Sequence, residues 1–400
     1  MRILWGAAAL LVGGVLCSAV IARIKKPLAA QRPDAAIVAL GQRLFLDPRL
    51  SPNGSIECAS CHEPAHAFSD GRRVSIGFDH RVGTRNTPSL LDVFPDEPLF
   101  WDGRRRHLDM AVLDPLVNRV EMGNESLADV VARLRALPAY RQAFAGDFHE
   151  GDRSVSAANL GIALAAYIRS IPRPPDAYDR YEAGQTDALS PRAKAGMRLF
   201  TGKAGCASCH DPAHGRFTDE KFHQSGVGLG SAQDHLSTLT LEAMRDDLQG
   251  SALGSAIGSN APQAALGRFL VTHRAMDVGA FRTPSLRNVA LTAPYMHDGS
   301  IKTLAAAIDE ELYYRGLATG QPIALTADER ADLLAFLRSL NFGTACQRPR
   351  DGLLACRKAS SISSILKRDA ARFLFGSSRA LSFQPRFPSC AVRFVSRFPP

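Results

Sequence analysis

The chain has 400 residues, 46% of them apolar and 22% charged, enough to bury two cores of ordinary domain size. Its formal charge of +9 suggests a nucleic-acid or lipid partner, but residues 346–400 carry 11 Lys/Arg against 2 Asp/Glu. The remainder is formally neutral, so no nucleic-acid partner is implied.

In chain order, residues 1–30 read as a signal peptide or membrane anchor. Arg2 precedes an apolar run over residues 3–22, Arg23, Lys25 and Lys26 follow, and Leu28-Ala29-Ala30 offers a cleavage site. This predicts a periplasmic protein, released or tethered to the inner membrane, that meets the bilayer only through this segment. Of eight Cys, Cys17 lies in the leader and Cys346, Cys356 and Cys390 in the C-terminal tail, so no disulfide framework is needed.

A short helix is predicted to end near Leu44-Phe45, ahead of Cys58-Ala59-Ser60-Cys61-His62. The same pentapeptide returns as Cys206-Ala207-Ser208-Cys209-His210, 148 residues later. C-x-x-C-H is the attachment motif of c-type haem: two thiols bind one macrocycle and the following imidazole ligates its iron. Zinc or a redox dithiol would also use C-x-x-C, but neither accounts for a His after the second Cys in both copies. Two covalently bound haem c groups are therefore predicted, on Cys58, Cys61 and His62 and on Cys206, Cys209 and His210.

The flanks repeat too. Leu44-Phe45 matches Leu199-Phe200, each after a Gly; Phe68-Ser69-Asp70 matches Phe217-Thr218-Asp219; Thr87-Pro88-Ser89-Leu90 matches Thr283-Pro284-Ser285-Leu286; and Asp102-Gly103 matches Asp298-Gly299. The economical reading is an internal duplication. The second copy has about 48 extra residues between its haem motif and its Thr-Pro-Ser-Leu.

After His62 an irregular stretch runs to about residue 103, and ordered loops of that length are usually functional. Apolar residues at Leu127, Val130, Val131, Leu134 and Leu137 predict a helix over 126–144, and a second is predicted over 154–171. Pro172, Pro174 and Pro175 then end the first domain. A helix is predicted from Ser190-Pro191, and the Gly/Ser/Ala-rich segment 226–262 reads as a mobile loop that covers the second haem. Another helix is predicted from Leu304, and Thr326 to Glu329 opens the last one as a capping box. The expected class is all-α, with two cytochrome c-like domains at 31–175 and 176–343. Residues 344–400 form an atypical basic tail that reads as disordered or as a displaced reading frame.

With Phe100-Trp101-Asp102-Gly103-Arg104, Val120-Glu121-Met122-Gly123 and Ala293-Pro294-Tyr295-Met296-His297-Asp298-Gly299, the chain resembles the bacterial di-haem cytochrome c peroxidase/MauG family over residues 38–343. The resemblance implies that peroxide reacts at the first haem, with Glu121 as the catalytic acid and base and Trp101 between the haems. It also implies a calcium site at Asn86, Thr292 and Pro294. Peroxidases of the family place a distal His where this chain has Phe78. His80 is the nearest substitute, and without it the first iron is open. For the second iron's distal ligand, counting points to Glu311 and the local Tyr-x-Arg-Gly pattern to Tyr313, then Tyr314, with Met296 and Met276 as further candidates.

The expected activity is reduction of hydrogen peroxide to water with electrons from a small cytochrome c or copper protein. One alternative is a MauG-like enzyme oxidising a protein or small molecule through high-valent haem; another is a non-catalytic di-haem electron carrier. A homodimer is the candidate assembly.

Overall fold

The computed structural model describes residues 34–91, 93 and 97–342, and the backbone of two short strands, Cys346–Gln347 and Ala355–Cys356. The predicted leader, 1–30, and the rest of the predicted tail lie outside the described residues. Among the described residues no helix is long and apolar enough to cross a membrane.

Among the described residues, helices and short turns make up most of the ordered elements, with small strand pairings such as β1 (Phe222–Gln224) antiparallel to β2 (Ala280–Arg282). Helix α1 (Ala35–Phe45) begins where the Asp34 side chain accepts from the Ala36 amide, and it buries Leu40, Leu44 and Phe45. Next come α2 (Leu127–Ala136), α3 (Pro138–Phe148) and α4 (Ala157–Ser170). The single helix expected over 126–144 is thus two. Pro138 has no amide proton and disfavours helical backbone at the residue before it, so Leu137 is extended (φ −95°, ψ 111°) and Pro138 restarts the chain at the first turn of α3. Helices α1 to α4 enclose the first core, in which Phe45, Phe68, Leu134, Phe144 and Leu164 are buried.

Gly41 sets the contact of α1 with α4, because a Cβ there would collide with the Ala163 carbonyl. The second half repeats the device. In α5 (Pro191–Thr201), a Cβ at Gly196 would collide with the Asp332 carbonyl of the last helix. Around this contact Tyr178, Phe200, Phe217 and Phe336 pack edge to face, with centroids 5.0–6.1 Å apart.

Residues 226–262 are not a loop throughout, although their start, at Gly226 and Gly228, does meet the Tyr314 and His297 side chains. They contain α6 (Leu236–Asp246) and α7 (Gly250–Ile257), whose Leu239, Leu253 and Ile257 join Leu266 and Phe269 in a third core. The segment lies against the first half: the Thr84 hydroxyl donates to the Ile257 carbonyl at 2.8 Å, and Gly254 and Gly258 let α7 approach Arg104 and Val120. The small residues that suggested mobility instead permit close packing. Helix α8 (Leu304–Thr319) follows, and α9 (Ala327–Ser339) opens with the expected reciprocal bonds, Glu329 amide to Thr326 Oγ1 at 3.2 Å and Thr326 amide to Glu329 Oε2 at 2.8 Å.

Candidate functional site

Each haem motif forms a single helical turn, Cys58–Ser60 and Cys206–Ser208, and all four thiols are free and half-buried. His62 Nδ1 bonds the Phe68 carbonyl at 2.9 Å, and His210 Nδ1 bonds the Phe217 carbonyl at 3.1 Å. Each bond leaves Nε2 as the nitrogen available to a metal. Burial lowers the pKa of His62 and takes that of His210 to about 4, partly offset by these carbonyls and by those of Pro88 and Pro284. Both imidazoles are therefore neutral near pH 7, the form that binds iron. The repeats that begin at Phe68 and Phe217 and at Thr87 and Thr283 supply carbonyls to His62 and His210, a role their sequence did not reveal.

A cavity of about 530 Å³ is lined by Cys206, Cys209 and His210 and, from the first half, by Asn86 and Trp101. Its size is that of a cofactor site. Paired free thiols, a neutral imidazole and this volume fit a covalently attached haem. Among the described residues no three His, Cys, Asp or Glu side chains converge as a bare metal site would require.

Near the first motif, Glu121 sits in a turn. The Asn118 carbonyl accepts from the amides of Glu121, Met122 and Gly123 at 3.1, 3.1 and 2.9 Å. Burial raises the Glu121 carboxyl above its ordinary range; Arg104 opposes this, Asp114 adds to it, and the Asn118 side chain, donating to Oε1 at 2.7 Å, opposes it. Burial also pushes Cys61 to about 12, with Asp70 and Glu121 adding to the effect, so Glu121 is near the thiol that would anchor the macrocycle. Arg104 and Asn118 were not anticipated, because their roles depend on contacts rather than on a motif.

Trp101 is half-buried, and its Nε1 donates to the Asn86 carbonyl at 2.8 Å. The Asn86 side chain donates from Nδ2 to the Arg72 carbonyl at 2.9 Å, which leaves Oδ1 as the atom that could face a cation. Asn86, Thr292 and Pro294 all border the cavity.

Two distal candidates are placed differently from expectation. Asp79 and His80 take left-handed backbone (φ 52° and 58°), which sends His80 to the surface, where it is exposed. Phe78 instead stays against the Glu121 loop: its amide donates to the Glu121 carbonyl at 2.9 Å, and a Cβ at Gly123 would collide with its ring. In α8, Tyr313 is 61% exposed and borders a separate surface groove. The cavity is lined by Glu311, Tyr314 and Arg315, so helix phase turns Glu311 and Tyr314, and not Tyr313, toward it. Met296 also lines the cavity, whereas Met276 is 67% exposed.

The profile of the di-haem cytochrome c peroxidase family matches residues 35–187. The methylamine utilization protein MauG of Methylorubrum extorquens is 35% identical over 81% of this chain and 84% of its own length. Cytochrome-c peroxidase IdrP1 of a Pseudomonas species (strain SCT) is 34% identical over 79% and 83%. Among solved structures, a MauG-like protein associated with microbial copper homeostasis is 34% identical, covers 78% of this chain and 92% of its own, and superimposes with a TM-score of 0.61. These likenesses imply two haem c groups and an oxidoreductase activity. The chain belongs to the di-haem cytochrome c peroxidase family.

Proposed function

We propose that this protein is a periplasmic di-haem peroxidase that reduces hydrogen peroxide to water with electrons from a small cytochrome c or copper protein. In this reading the chain is a duplicated cytochrome c-like unit, with domains at 31–175 and 176–343. Cys58, Cys61 and His62 would hold one haem and Cys206, Cys209 and His210 the other, and the bound iron would supply the redox centres for peroxide reduction.

The observation that carries the reading is the half-buried Glu121 carboxyl, bonded by Asn118 and raised above its ordinary range by desolvation. With Oε1 engaged by Asn118, Oε2 is the atom that takes a proton from one peroxide oxygen and returns it to the other. A carboxyl raised by burial is suited to do both near neutral pH. Trp101, from the first half, borders the cavity at the second motif, which supports a role for its indole in relaying an electron between the halves. Tyr314 is favoured as the second iron's distal ligand, and Asn86, Thr292 and Pro294 are assigned to calcium through oxygen donors. Glu121→Gln keeps shape and removes the proton carrier. Loss of peroxide consumption by about 10²-fold or more is expected in the intact holoenzyme, and an unchanged rate would remove Glu121 from the mechanism.

A second reading, MauG-like oxidation of a protein or small molecule, is favoured by Phe78 and by the outward turn of His80, which bring no imidazole from that loop to the first iron. It predicts that the ferric enzyme reacts with peroxide without prior reduction. A requirement for pre-reduction would return the assignment to the donor-dependent peroxidase.

A further inference from the structure

Glu121 is held by a residue that also reaches the second half of the chain. Asn118 is 2% exposed. Its Nδ2 donates to Glu121 Oε1 at 2.7 Å and to the Gly254 carbonyl of α7 at 3.2 Å, while its Oδ1 accepts from the Val120 amide at 2.9 Å. Both amide protons and the amide oxygen are therefore committed. The flipped amide would set oxygen against the Glu121 carboxylate and the Gly254 carbonyl, and N–H against N–H at Val120, so only one orientation is satisfied.

Helix α7, Gly-Ser-Ala-Leu-Gly-Ser-Ala-Ile, brings no titratable side chain to this contact. The charged groups that face Glu121 are Arg104 and Asp114, both from the first half. What α7 supplies is a fixed carbonyl dipole and a close approach, since a Cβ at Gly254 would lie 3.2 Å from the Arg104 guanidinium.

We infer that Asn118 is a positioning residue for Glu121, locked by the Gly254 carbonyl, so that the insertion of the second half sets the proton carrier of the first. The inference rests on the reading of Glu121 as that carrier.

The test follows, across pH in the holoenzyme, the rate of reaction with peroxide and the rate of cyanide binding to the ferric protein. Cyanide binds as its anion, and its acid must surrender a proton at the same place without any turnover. Asn118→Asp keeps the volume and the acceptor for Val120 but sets a second carboxyl against Glu121. The acid limb of both profiles is expected to rise by at least one pH unit, about tenfold in rate below the limb, with the alkaline plateau kept. Asn118→Ala adds no charge and carries the test if the aspartate variant does not retain its haems; its limb shifts the same way by less. The aspartate variant moves the limb by its charge alone, so Asn118→Ala discriminates: an Asn118 that only fills space predicts an unmoved limb in Asn118→Ala, and that result overturns the inference. Gly254→Val, which pushes α7 away from Arg104, is expected to raise the limb too; an unmoved limb there overturns the part given to α7. If Glu121→Gln leaves both rates unchanged, the reading of Glu121 itself has failed, whatever the Asn118 variants do.

Discussion

Replacing Gly196 by Ala tests how the second haem motif is braced. Ten residues before Cys206, Gly196 lies where α5 crosses α9, and a Cβ there would collide with the Asp332 carbonyl and come within 2.8 Å of the Phe336 Cβ. The obstruction is mainly backbone, so no rotamer change relieves it and the helices must separate. Overpacking of this kind costs roughly 1–3 kcal/mol, near the upper end for a backbone contact. The Ala gains about 1 kcal/mol of helix propensity over Gly. The net is a loss of about 2 kcal/mol, or about 4–8 °C in melting midpoint if the scaling for domains of 150–250 residues holds. Gly146, exposed in α3 with nothing within 4 Å of its would-be Cβ, is the control, and Gly146→Ala is expected to stabilise by about 0.4–1 kcal/mol. Thermal unfolding of the two holoprotein variants by far-ultraviolet circular dichroism reads both signs. A Gly196→Ala midpoint equal to or above that of the parent would refute the close helix crossing.

Tyr314→Phe is expected to change the low-temperature EPR signal of the second ferric haem and Tyr313→Phe to leave it; the reverse outcome would place α8 about 100° from its described rotation. Acid stability should depend on His297, which is 4% exposed, stacked on Phe281, and depressed to about 4 by burial and then by Arg85. The unfolded chain takes up this proton below its ordinary pKa of 6.5, whereas the folded chain resists until about pH 4. The contribution is therefore complete above pH 6.5 and falls by about 3 kcal/mol as the pH drops to 4. Urea midpoints of the holoprotein should fall less steeply over that window in His297→Gln, and parallel slopes would remove His297 as the cause.

What was legible in the sequence was local. A Ser-Pro start at Ser190-Pro191 and a capping box at Thr326 each carry their chemistry within five residues, and each stands where the sequence puts it. The break before Pro138 was equally local, yet the apolar stripe running through it masked it. Residues 226–262 were misread because their Gly, Ser and Ala content was weighed above a helical spacing that was present, Leu239 with Ala243 and Leu253 with Ile257, and their packing surface, around Thr84 and Asn118, is more than a hundred residues away in the chain. Tyr313 and Tyr314 could not be separated by spacing alone: one residue is a rotation of 100°, and only the cavity shows which rotation faces inward. His80 failed for a similar reason, since two left-handed residues reverse its direction without any glycine to announce them.

The proximal histidines carry a consequence for how such a protein tolerates change. Their Nδ1 partners are main-chain oxygens, so no side-chain substitution at Phe68 or Phe217 deletes the acceptor that raises imidazole basicity. The loops differ in length, six positions from His62 to Phe68 and seven from His210 to Phe217, yet both close the same bond. The setting of each imidazole is thus insulated from point mutation and even from a one-residue difference in loop length. The surroundings of Phe78 and of Tyr314 can then change without disturbing either bond.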